Sequence, residues 1–169
     1  MLSLNSNLTV AASLFLGALL PAAAEQSTPP PAPAPGAPAI YVSSEQLTEN
    51  MRAAIARPSD PALSPIGVSD QYFINEVHRT KGGAAAVHPG WTELHLILAG
   101  SATFVTGGKI VTLPGGAGSA IEGGVSRKVG KGDAIIVPPN TPHWYKQIDG
   151  SLTSIEVRFV APVAATSAK

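Results

Sequence analysis

"GDAIIVPPNTPHWYKQ", residues 132 to 147, decides how the rest of this chain is read. Four apolar residues, Ala134 to Val137, make a short strand. "PPNTP" stops it, because proline fixes its own φ and has no N–H to give a ladder. Asn140 stands inside that turn, where asparagine tolerates the left-handed backbone that glycine usually supplies. From His143 the chain runs out again as a strand over 143–148, carrying Trp144 and Tyr145. The spacing is fixed in detail: Gly132, five residues, Pro138, one residue, Asn140, two residues, His143, three residues, Gln147.

Outward from this stretch, a period of two persists through most of the chain beyond residue 70. Strands are expected at 71–79, 84–88, 93–98, 101–106, 109–112, 126–129, 134–137, 143–148 and 152–160. Gly-Gly pairs at 82–83, 107–108, 115–116 and 123–124 mark turns between them. Many short strands with no intervening helices imply an antiparallel sandwich or barrel, not a parallel α/β sheet. "PSDPALSPIGVSD", residues 58–70, reads as a loop, and the glycine-rich 112–124 as a hairpin extension or lid.

One helix precedes the strands, in "YVSSEQLTENMRAAIARP", residues 41–58. Ser43 can cap it with Gln46 reaching back, Leu47, Met51 and Ile55 form its apolar stripe, and Pro58 ends it. Before the helix, "STPPPAPAPGAPA" (27–39) is an extended, solvated spacer. The apolar run from Leu8 to Leu20 is shorter than the about 20 residues that span a bilayer. Ala22-Ala23-Ala24 follow it as a cleavage signal, placing the cut before Glu25. The expected organisation is a signal peptide (1–24), a linker (25–40) and a barrel domain (41–165). The mature chain is then exported, periplasmic or secreted, with no membrane span.

Composition narrows the partners. Eleven basic residues balance eleven acidic ones, so nothing suggests an electrostatic grip on nucleic acid. The absence of cysteine removes thiolate ligands, a cysteine nucleophile and disulfides. Dinucleotide-binding and phosphate-loop glycine patterns are absent too.

A second stretch, "VHPGWTELHLILAG" (87–100), holds His88, four residues, Glu93, six residues, Gly100. Together the two stretches resemble the paired sequence motifs of the cupin superfamily, across most of residues 80–147. The departures are Ala86 at the first motif's leading histidine, Thr80 at its leading glycine, and Asn140 and Gln147 in the second motif. The resemblance implies an all-β, antiparallel jelly-roll barrel with a short amino-terminal helix, and a homodimer. It also implies one divalent metal ion (iron, manganese, nickel or zinc) held by His88, Glu93 and His143. Two imidazoles and one carboxylate suffice for such a site.

His95 follows from alternation alone. Residues two apart on a strand share a face, so an inward Glu93 brings His95 inward, roughly 7 Å along. His95 is therefore a candidate fourth ligand, a candidate acid–base catalyst, or an inward histidine satisfied by a hydrogen bond. Leu94, Leu96 and Leu98 take the opposite face, toward another sheet or a partner subunit. Trp91, Trp144 and Tyr145, with the space left at Ala86, are candidates for the wall of a small-molecule pocket. Phe73, Phe104 and Phe159 are expected in the core, and His78 at a strand-end surface. Glu156 and Arg158, sharing one face of the last strand, are expected on a solvated or dimer-facing surface.

Jelly rolls host many chemistries, so the fold does not select the reaction. The expectation is a metal-dependent enzyme of dioxygenase, lyase or isomerase type, acting on a small oxygenated organic molecule. The alternative is a non-catalytic barrel that binds a small molecule or a metal, and a weaker one is a barrel with no site.

Overall fold

The computed structural model describes Pro31 and residues 34–160; the expected signal peptide, half of the linker and residues 161–165 lie outside the described residues. The elements are α1 (Ser44–Ile55), β1 (Ala62–Val68), β2 (Tyr72–Arg79), β3 (Thr92–Thr106), β4 (Lys109–Thr112), β5 (Ser119–Glu122), β6 (Val125–Gly130), β7 (Ala134–Val137) and β8 (His143–Phe159). All pairings are antiparallel, in the order β1-β2-β8-β3-β6, with β7 also on β3 and a separate β4–β5 hairpin.

Two long strands make the roll. The first half of β3 pairs with β7, the second half with β6, and β8 runs along both halves. Register shifts at Ile97/Ala99, Gly100/Ser101 and Thr103/Phe104 let the pair bend. Ile97 from before the bend then packs with Ala102 and Phe104 from after it, together with Val129, Val137, Tyr145 and Leu152. The sheet has closed over one core, as an all-β jelly-roll barrel with a short amino-terminal helix.

Where 93–98 and 101–106 were expected as separate strands, the chain continues through Gly100 at φ 80°. A Cβ there would lie 1.9 Å from the Ser151 carbonyl oxygen. Gly100→Ala is expected to destabilise by more than the about 1–3 kcal/mol of a strained φ alone, and the urea midpoint measures it. Asn140 adopts φ 61°, the one positive φ of a non-glycine among the described residues.

Other boundaries differ from expectation for local reasons. Residues 62–68 form β1, an edge strand that tolerates Pro65 because one side of an edge needs no donors. The 84–88 segment is not a strand; it makes a single bridge, Ala86 to His143. Part of 112–124 is β5, and Ser119 binds the backbone of Ala85 through its Oγ and its carbonyl, tying the hairpin to that segment.

Ser43 caps α1, accepting from the Gln46 backbone N–H at 3.2 Å, but the Gln46 side chain turns to Asn50 and does not reach back. Met51 and Ala54 pack on Ala62, whereas Ile55 is exposed. The buried stripe thus runs through Ala54, because β1 meets the helix one residue earlier than the expected spacing.

Candidate metal centre

Alternation on β3 turns Glu93, His95 and Ile97 inward, each no more than 2% exposed. Register then assembles the site. Glu93 lies opposite Val137 of β7 and Arg158 of β8, and His95 opposite Ile135 and Glu156. Directly opposed residues share a face, so Arg158 and Glu156 point inward beside Glu93 and His95. His143, at the start of β8, exchanges both backbone hydrogen bonds with Ala86, each 2.9 Å, which places the Ala86 methyl next to the imidazole.

His88, Glu93 and His143 offer ligand atoms that all lie within 4.8 Å of one another. Nδ1 of His88 is 2.7 Å, and Nε2 of His143 3.4 Å, from the same Glu93 oxygen, Oε1. Ligands about 2.0–2.2 Å from one metal ion stand roughly 3 Å apart at an octahedral edge. The donor set and its spacing fit a divalent cation. Glu93 has its carboxyl held well below the usual range: burial alone would raise it, but the hydrogen bond from His88, the nearby His95 ring and the charge of His143 outweigh burial. The neighbouring His143 is pushed down, chiefly by burial, which favours the neutral ring that a metal requires.

His95 stands on the other side of the carboxylate, outside that group of atoms. Its Nε2 is 3.6 Å from Glu93 Oε2, beyond hydrogen-bonding reach, and is buried without a partner. Its Nδ1 is 3.0 Å from the Tyr145 hydroxyl and 3.4 Å from Glu156 Oε1. Burial depresses its pKa, but the flanking Glu156 and Glu93 carboxylates more than reverse this, so the ring holds a proton more tightly than free imidazole. Tyr145 is pushed well up by burial and then by the Glu156 charge, which keeps its hydroxyl protonated.

Glu156 and Arg158 require a correction to the surface expectation. Glu156 is 8% exposed and accepts from Arg79 at 2.6 and 3.2 Å and from Ser154 at 3.0 Å. Arg158 donates from Nε to Glu93 Oε2 at 3.1 Å. The charged side of β8 faces a polar interior, and its apolar side, Ile155, Val157 and Phe159, faces outward. Phe159 is accordingly 37% exposed instead of in the core, while Phe104 is buried. Sequence reasoning also passed over Arg79, which lies over the Tyr145 ring at 4.6 Å.

A cavity of about 210 Å³ gathers Ala86, His88, Glu93, His95, His143 and Tyr145, with Arg79, Glu156 and Arg158. Trp91 and Trp144 do not line it. Trp91 meets Phe73 edge to face at 5.3 Å between centroids, and Trp144 donates from Nε1 to the Gly83 carbonyl at 2.6 Å. His78 is half-buried and 3.0 Å from Thr153 Oγ1, beside the end of α1 and away from this cavity. Leu96 and Leu98 are exposed on the outer face.

No family model matches the chain, nor does any curated protein with which it was compared. Solved structures with a similar backbone course include a Klebsiella pneumoniae protein with a double-stranded beta-helix domain. It shares 17% identity over 69% of this chain and 88% of that one, at TM-score 0.49. A cupin superfamily protein from Desulfitobacterium hafniense shares 17% over 63% and 83%, at 0.46. Cobalt(II) HppE in complex with substrate shares 15% over 59% and 52%, at 0.48. At such identities and scores the likeness concerns the course of the chain, and the site stands on its own residues.

Proposed function

We propose that the chain is a divalent-metal-dependent enzyme of the cupin type, acting on a small oxygenated organic molecule. One observation carries the reading: His88, Glu93 and His143 converge on one small polar cavity at ligand-to-ligand spacing. Those three residues hold the ion, which when bound supplies Lewis-acid polarisation or, as iron, redox capacity. His95 sits against the second oxygen of Glu93 and holds a proton within the cavity wall, the placement a proton-transfer group needs. Arg79 and Glu156 fix that ring from behind. Oxygenation, lyase and isomerase chemistry all remain compatible with such a site. The same proposal places the mature protein outside the cytoplasm and pairs two copies through the outer face of Leu94, Leu96 and Leu98.

The competing reading, a barrel that only stores a metal, differs in one measurable respect. A catalytic site keeps a coordination position open, whereas a structural one is closed. Water-proton relaxation of the manganese-loaded protein is expected to show exchangeable water on the ion. Ala86→His, whose new side chain would stand beside His143, is expected to bind manganese more tightly and to lose much of that relaxation. A wild-type ion with no exchangeable water would overturn the enzyme reading.

A further inference from the structure

The formal charges of the cavity cancel as they stand. Arg79 and Arg158 oppose Glu93 and Glu156, and the remaining titratable side chains lining it are His88, His95, His143 and Tyr145. A divalent cation on His88, Glu93 and His143 leaves the cavity at least two charges positive. In a small cavity an excess of that size favours an anionic occupant.

The two arginines are not equivalent. Arg79 gives both Nη atoms to Glu156 and lies over Tyr145, so its Nη edge is already taken. Arg158 is bound through Nε alone, to Glu93 Oε2, and among the described residues neither of its Nη atoms has a partner. Its side chain keeps 39% exposure while lining the cavity, so it stands where the cavity meets solvent. One anchored nitrogen holds the guanidinium plane, and the open Nη edge presents the paired N–H geometry that fits a carboxylate.

We infer that the cavity takes a short carboxylate anion, with Arg158 as the residue that selects it. The inference rests on the metal-site reading, because the cation supplies the excess charge. At about 210 Å³ the cavity is below the roughly 300–1,000 Å³ of sites for drug-sized ligands, so the acid is small. Its carboxylate meets Arg158, and its other oxygen faces the metal ligands. Glu93 couples the two ends, since one of its oxygens belongs to the metal group and the other to Arg158.

The test is calorimetric titration of the zinc-loaded protein with lactate and with its uncharged isostere lactamide, with zinc content measured on the same samples. Wild type is expected to bind lactate at least tenfold more tightly. Arg158→Gln is expected to lose most of that preference while keeping its zinc. Arg158→Lys, which keeps a charge beside Glu93 but removes the fork, is expected to keep zinc and retain an intermediate preference. Full zinc with no lactate binding, or with equal binding of the amide, overturns the inference and leaves the metal site standing. A wild-type preference in Arg158→Gln overturns the role of Arg158. Absence of zinc from the wild type overturns the metal reading, and the inference with it.

Discussion

Glu156→Ala is expected to cost about 3–5 kcal/mol of stability, the loss typical of breaking a buried ion pair from one side. Glu156 binds both Nη atoms of Arg79, accepts from Ser154 and stands 3.4 Å from His95. Without it the Arg79 guanidinium, 15% exposed, is left facing an alanine with its charge uncompensated. Urea unfolding of the two proteins measures the difference, and a loss under about 1 kcal/mol, the scale of an exposed pair, would show that the network does not hold the barrel.

The effect carries a pH signature. Burial would raise the Glu156 carboxyl, but the hydrogen bond and charge of His95, and then Arg79, outweigh it and hold the pKa down to about 2, from an ordinary 4.5. A group depressed on folding contributes fully above its unfolded value and loses that contribution as pH falls through its folded one. The stability gap between wild type and Glu156→Gln is therefore expected to be full above pH 4.5 and to close as pH falls toward about 2. A gap that stays constant through this window would contradict the assignment.

Glu93→Gln is expected to weaken metal binding by about a hundredfold or more, exceeding the 10–100-fold typical of residues that only support a ligand. Its Oε1 is the atom that His88 and His143 both approach, and the amide removes the one negative charge in the group. A competition titration against a chromogenic chelator measures the affinity. Equal affinity in both proteins would remove Glu93 from the ligand set.

The barrel was legible because turns and alternation are local. Gly-Gly pairs, "PPNTP" and the Glu93–His95–Ile97 face each report their own geometry, and β2, β4, β6 and β7 lie close to where the pattern places them. The inverted face of β8 was not legible. In "LTSIEVRFV", residues 152–160, apolar and charged residues alternate cleanly, and the ordinary assignment puts the charges in water. Here Glu156 and Arg158 lie inward because register sets them opposite His95 and Glu93, and register between strands some 60 residues apart is not written in either strand. A usable signal was the same inverted alternation on β3, where Glu93 and His95 already declare a polar interior. Pro65 concealed β1 for a different reason: it argues against a central strand, and β1 is an edge.

The central claim is that three residues, and not four, hold a divalent ion in this barrel. Its most direct test is elemental analysis of the purified protein beside His88→Ala and His95→Gln. The account predicts near-stoichiometric metal in the wild type, its loss in His88→Ala, and its retention in His95→Gln, because His95 faces the far oxygen of Glu93. A wild type that takes up no metal even after reconstitution, or a His88→Ala protein that keeps it, would contradict the account.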